Sequence, residues 1–110
     1  MADAQEKVLA QLKALRERYA TELPEKLAQL RSFTERLNQQ WDEELLRTLH
    51  RQTHSLTGSG ATFGYAEVSH AARALELVLK NIIESGEGKQ HSAVNDIEAL
   101  FCNLEQASTT

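Results

Sequence analysis

One cysteine, one proline and one tryptophan occur in the 110 residues, and aromatic side chains make up only 5%. A single thiol, Cys102, excludes an internal disulfide and points to a reducing compartment, so a cytoplasmic protein is expected. No apolar run approaches the ~18 residues that would cross a bilayer, so no membrane insertion is expected. The first thirty residues carry charges throughout and no apolar core of a secretory signal. Positive charge is also short: 12 Lys and Arg stand against 16 Asp and Glu, a net charge of −4. That balance, with no dominant basic patch, excludes a nucleic-acid binder working by electrostatics. Helix breakers are confined to three places: Pro24, the group Gly58, Gly60 and Gly64, and the pair Gly86 and Gly88.

What remains is long stretches of helical periodicity. The length fits one domain able to bury a core of its own. Val8, Leu12, Leu15 and Tyr19 recur at helical spacing and predict a first helix from Asp3 to about Tyr19. A break is expected near Thr21, with Thr21 capping a second helix, Glu22 to Asn38, and Pro24 in its first turn. Leu23, Leu27, Leu30, Phe33, Thr34 and Leu37 form its apolar stripe. Asp42 is a good N-cap for a third helix carrying Leu45, Leu49, Gln52, Leu56, Gly60 and Phe63 on one face, continuing through Gly58 and Gly60 and ending near Gly64. A fourth spans Ala66 to Glu84, with Val68, Ala71, Ala72, Leu75, Leu79 and Ile82 inward. After a turn at Ser85-Gly86-Glu87-Gly88, the last runs from the N-cap candidate Ser92 to Gln106, with Val94, Ile97, Leu100, Phe101 and Leu104 inward. The expected fold is therefore all-α: an antiparallel up-down four-helix bundle (21–106) with an additional N-terminal helix (1–20) lying across or extending it. Residues 107–110 are expected to fray or begin a linker.

The stretch from His54 to Tyr65, HSLTGSGATFGY, is where chemistry concentrates. It is no Walker loop, since neither Lys nor Ser/Thr follows its last glycine, and no dinucleotide fingerprint, since helix rather than strand precedes it. If Leu56 points inward, His54 lies about 200° away and faces outward, as do His50 and Arg47. Gly58 stands one turn beyond His54, where a structural helix would prefer alanine. Its placement clears space beside the imidazole for something large to approach. An exposed imidazole is largely neutral and nucleophilic at pH 7. The next helix brings a polar stripe, Ser69, Arg73, Glu76 and Lys80, that can lie alongside. Leu46, Ala61 and Tyr65 supply apolar or small surface near His54. His50 and His54 also have the spacing of a helical metal pair, but no third ligand is evident.

His54-Ser-Leu56-Thr57-Gly58-Ser59-Gly60-Ala61-Thr62-Phe63-Gly64, followed by Val68 and Leu75-Glu76, resembles the signature of histidine-containing phosphotransfer (HPt) domains, roughly H-x-L-K-G-S-[AS]-x-x-x-G, a hydrophobic residue and then Leu-Glu. Glu22-Leu-Pro24-Glu-Lys-Leu27 also looks like the family's entry to its first bundle helix, and the resemblance covers about residues 17 to 105. It implies a four-helix bundle that carries a phosphoryl group between aspartates of receiver domains, binds no nucleotide and has no kinase activity. His54 would be the phosphoacceptor, with Thr57, Gly58, Glu76 and Lys80 its neighbours. The Mg²⁺ for transfer would belong to the receiver, and the domain would hold no cofactor of its own. Thr57 departs from the family, which has lysine there; Lys80 or Arg51 could compensate. That departure keeps a second reading open, a helical docking or dimerisation module that has lost phosphotransfer. The form looks like HPt modules of bacterial two-component systems joined to receiver and diguanylate cyclase or other output domains. The expected partner is thus a receiver, in cis or in trans, with the isolated domain monomeric.

Overall fold

The computed structural model of the chain describes residues 2–86 and 91–109. They form four helices, α1 (Ala2–Gln39), α2 (Glu43–Thr62), α3 (Ala66–Ser85) and α4 (His91–Ser108), and no strand among the described residues. The all-α expectation is met, but its division of the N-terminal region is corrected. Residues 2–39 are one continuous helix of 38 residues, so no separate N-terminal helix precedes the bundle. Thr21 does not cap; its hydroxyl donates back to the Glu17 carbonyl at 3.0 Å, as in a helix interior. Pro24 sits inside α1 and deprives the Ala20 carbonyl of its donor, but both residues are exposed, so that carbonyl can turn to water. Burial on the opposite side holds the helix together: Tyr19, Leu23, Leu27, Leu30, Thr34 and Leu37 recur every three or four positions and are nearly inaccessible.

The other boundaries follow local chemistry. Asp42 caps α2, its Oδ1 accepting from the amides of Glu44 at 2.9 Å and Leu45 at 3.2 Å. α2 passes through Gly58 and Gly60, and Gly64 follows it in the left-handed region at φ +85°. Gly86, at φ +70°, ends α3 with its amide on the Ile82 carbonyl at 3.0 Å. Glu87 and Gly88 of the expected turn lie outside the described residues. α4 begins at His91, so Ser92 is inside it rather than its cap, and the helix continues two residues past Gln106.

The core joins Leu49, Leu56, Val68, Ala72, Leu75, Leu79, Ile97, Phe101 and Leu104 from three helices to the α1 stripe. Two inward assignments shift by one position, and the buried face of α3 gains a residue. Thr53 rather than Gln52 is buried in α2, which it tolerates because its hydroxyl donates to the Leu49 carbonyl at 2.7 Å. Ser69 is buried in α3 as well, donating to the Thr57 carbonyl at 2.8 Å, while Ala71 packs half-buried against the core. Ala93 rather than Val94 is buried in α4.

Gly60 explains how close α2 and α3 come. A Cβ there would lie 3.2 Å from the Ser69 backbone nitrogen and 3.4 Å from its Cα. At Gly58 a Cβ would meet nothing within 4 Å. The two glycines should therefore respond oppositely to alanine. Gly58→Ala is expected to stabilise the fold by about 0.5–1 kcal/mol through helix propensity alone. Gly60→Ala is expected to destabilise it by about 1 kcal/mol, because overpacking against α3 backbone exceeds that gain. Thermal melts of the two variants check both signs.

α1 is tied down at both ends of its buried half. Near Pro24, the Tyr19 ring stacks on Phe63 at 4.9 Å and tilts against Tyr65 at 5.2 Å, and its hydroxyl shares a 2.9 Å hydrogen bond with Ser59. Burial pushes the Tyr19 hydroxyl pKa up. Further along, Arg31 donates to both carboxylate oxygens of Glu98, at 2.6 and 2.7 Å, and to Glu105, while its guanidinium covers the Phe101 ring at 4.5 Å. The Glu105 carboxylate foremost, with Glu98, holds the Arg31 pKa above its ordinary value.

Candidate functional site

The α2–α3 seam sets the site, because each turn of one helix lies beside a turn of the other. Thr57 meets Ser69, Gly60 packs on Ser69, and one turn back along α2 His54 meets Glu76. The rotation that buries Leu56 and Thr53 turns His54 outward, as the periodicity predicts: its side chain is 72% exposed. Glu76 lies in the groove beneath it, only 14% exposed. The His54 Nδ1–H donates to Glu76 Oε2 at 2.6 Å.

The protonation state of this pair follows from its surroundings. Burial pushes the Glu76 carboxyl up, but the hydrogen bond from His54, the nearby Thr57 hydroxyl and the charges of His54 and His50 outweigh it and hold the pKa below its ordinary 4.5. Glu76 is therefore ionised at neutral pH and can only accept, which places the proton of a neutral His54 on Nδ1. The lone pair is left on Nε2, on an exposed side chain.

The linkage fixes the sign of a pH effect. Glu76 has a folded pKa below its unfolded value, so its contribution to stability is complete above about pH 4.5 and is lost as pH falls through the lower, folded value. The melting-temperature difference between the wild type and Glu76→Gln is therefore expected to shrink as pH falls from 6 to 3. Thermal melts across that range measure it.

Other residues expected at the site fall into place unevenly. Gly58 leaves open space one turn from the imidazole, as its type suggests. Thr57 is half-buried and its hydroxyl donates to the Thr53 carbonyl at 3.1 Å. Lys80 is exposed one turn along α3 from Glu76. It lines a shallow groove with Arg47, His50, Arg51, Ile83 and Glu84. Arg51 donates instead to Thr48 at 3.2 Å. Leu46 is buried and offers no surface, whereas Ala61 is exposed and Tyr65 half-buried. His50, expected to face outward, is half-buried with Nε2 enclosed and unpartnered, close enough for its charge to act on Glu76. One turn before His54 on a helix was the available signal; the inward lean of its ring was not legible. No group of three His, Cys, Asp or Glu able to hold a metal occurs among the described residues, nor any helix long and apolar enough to cross a membrane.

An exposed imidazole with a fixed tautomer, an enclosed carboxylate behind it and clear space one turn away can accept an electrophile at Nε2. Comparison with known proteins agrees with that chemistry: the family model described as Hpt domain matches residues 14–109. No curated protein and no solved structure was found to match the chain.

Proposed function

The chain belongs to the Hpt domain family, whose members transfer phosphoryl groups in two-component signalling, and on that premise we propose that it is a phosphorelay intermediate that accepts a phosphoryl group on His54 and exchanges it with the aspartate of a receiver domain. The observation that carries this is the His54–Glu76 hydrogen bond, 2.6 Å long, on an otherwise exposed imidazole. In the transfer, the Nε2 lone pair attacks phosphorus of the receiver's aspartyl phosphate. The N–P bond forms as the bond from phosphorus to the carboxylate oxygen breaks, and the aspartate leaves as its carboxylate. The ring then carries a positive charge, with Nδ1–H still donating to Glu76, whose carboxylate offsets that charge. The same contact opposes ring rotation and so keeps Nε2 aimed outward. The reverse step returns the phosphoryl group by the same atoms. Mg²⁺ for the exchange is supplied on the receiver's acidic site.

Gly58 and Ala61 give the receiver a low surface beside the imidazole. Thr57 brings no charge to the phosphoryl oxygens, and Lys80, with Arg47 and Arg51 in the same groove, offers cationic surface in its place. The pairings 54 with 76 and 57 with 69 support an antiparallel run of α2 and α3 within an up-down bundle. The setting proposed is the bacterial cytoplasm, and residues 1–110 act as one domain without kinase or nucleotide-binding activity.

The neutral Thr57 favours one competing reading, a bundle that docks receivers without exchanging phosphate. Incubating the domain with phosphorylated receivers and Mg²⁺ separates the two. Phosphotransfer yields acid-labile, alkali-stable phosphate on this chain. Absence of label with every receiver offered, alongside measurable binding to one of them, supports the docking module instead.

A further inference from the structure

The Glu76 carboxylate is served at only one of its oxygens. Oε2 accepts the His54 Nδ1–H, whereas Oε1 is enclosed and has no hydrogen-bond partner. An enclosed oxygen of an ionised carboxylate is costly to leave without a donor. Against burial, which pushes the carboxyl up, the Thr57 hydroxyl and the charge of His50 join His54 in holding its pKa down. Both residues are on α2, and either carries a group that can donate to Oε1.

Helix geometry chooses between them. The contacts of 57 with 69 and of 54 with 76 run in opposite senses along α2 and α3. In each helix the Cα–Cβ bonds tilt toward the N-terminus. Thr57 therefore leans back along α2 toward the level of His54. Glu76 leans back along α3, which is toward the level of Thr57, so the two side chains converge between the helices. His50 leans the other way, toward the start of α2. The Thr57 hydroxyl is also free to change acceptor. It donates to the Thr53 carbonyl at 3.1 Å, longer than the ~2.7–2.8 Å usual for O–H···O. Within α2 that carbonyl also receives the Thr57 amide, so it keeps a donor when the hydroxyl turns away. The Thr57 backbone is pinned meanwhile, since its carbonyl accepts from Ser69 Oγ at 2.8 Å.

We propose that Thr57 is a positioning residue for phosphotransfer: its hydroxyl turns to donate to Glu76 Oε1 and completes the carboxylate that holds the His54 ring. This rests on the phosphotransfer reading above. Donors on both oxygens fix the plane of the carboxylate, and with it the Nδ1–H and the outward aim of Nε2. They also keep Glu76 ionised as the ring becomes positive on forming the N–P bond. The hydroxyl redirects its hydrogen by rotation, and no proton changes owner. Thr57 thus contributes through Glu76, without a charge of its own.

Thr57→Val and Thr57→Ser separate the hydroxyl from the shape of the side chain. Valine keeps the branched outline and removes the donor, whereas serine keeps the donor. Carbon-13 NMR titration of the Glu76 carboxyl reads the contact, and the initial rate of transfer from a phosphorylated receiver reads its consequence. His50 and His54 are present in all three proteins, so a difference in midpoint reports the hydroxyl. In Thr57→Val the midpoint is expected to rise by about half a pH unit, because a hydrogen bond to the charged form is lost. The initial rate is expected to fall about tenfold. Thr57→Ser is expected to restore both, with receiver binding unchanged throughout. A midpoint unmoved in Thr57→Val overturns the proposal, whatever the rate does; if His50→Gln raises it instead, the oxygen belongs to His50. A serine variant as slow as the valine one overturns it too. A wild type that no receiver labels removes the reaction Thr57 serves, and the proposal with it, while the titration separately decides whether the hydroxyl reaches Glu76.

Discussion

His54→Gln is expected to abolish acid-labile phosphate on the chain while leaving its fold intact. The imidazole is 72% exposed and contributes one hydrogen bond, to Glu76. An exposed substitution of that kind changes stability by roughly 0.5 kcal/mol or less, which for a domain of this size is a few degrees or less in melting temperature. Glutamine keeps a polar side chain of similar reach but has no nucleophilic ring nitrogen, so the covalent step has no acceptor atom. Labelling by a phosphorylated receiver should fall to background, and receiver binding should persist. His50→Gln and His70→Gln are the controls. His50 has its Nε2 enclosed and His70 is an exposed residue of α3 outside the His54–Glu76 pair, so both variants should still label. Equal labelling of His54→Gln and the wild type would remove His54 from the role of acceptor.

Phe101→Ala is expected to cost the most stability of any single change considered, about 3–5 kcal/mol. The ring is fully inaccessible and sits where α4 meets the rest of the core. Two losses coincide there. Truncation leaves a cavity lined by side chains that cannot all collapse into it. It also strips the surface beneath the Arg31 guanidinium, which lies 4.5 Å from the ring centroid while bonded to Glu98 and Glu105. Arg31 would keep its carboxylates but lose the ring that fixes its plane, so α1 and α4 would loosen together. Small domains hold about 5–15 kcal/mol in total, so the variant should melt far below the wild type and show marked unfolding at moderate urea. Phe101→Leu, which refills most of the volume, should recover more than half of the loss. Similar melting points for the alanine and leucine variants would show that the ring's shape and its contact with Arg31, rather than filled volume, decide the stability here.

How far the sequence reaches depends on the range of the physics involved. α2 was legible nearly end to end: Asp42 caps it, the three-and-four spacing continues through Gly58 and Gly60, and a glycine in the left-handed region follows it. These features are set within a turn or two of chain. His54 facing outward follows from the same rotation that buries Leu56. Thr21 and Pro24 misled because each is a good boundary residue taken alone. Their effects, about 1 kcal/mol for a cap and about 3 for an interior proline, are outweighed by the buried stripe that continues from Tyr19 to Leu37. The burial of Thr53 in place of Gln52, and of Ser69 in addition to the expected stripe, has a related cause. A small hydroxyl can be buried once it finds a carbonyl, and whether it finds one depends on the neighbouring turn or helix.

By itself, the sequence determined the helical class, the capped and glycine-punctuated α2, an outward-facing His54 and a match to the phosphotransfer family, because helix periodicity and motif spacing are local. Tertiary structure alone decided the rest: Glu76 folded into the groove beneath His54, His50 turned inward, and the start of α1 carried clear of the bundle with its apolar stripe exposed. Each of those depends on the rotation and reach of one helix against another, which is fixed by packing across the core and has no signature in the spacing of residues along a single chain segment.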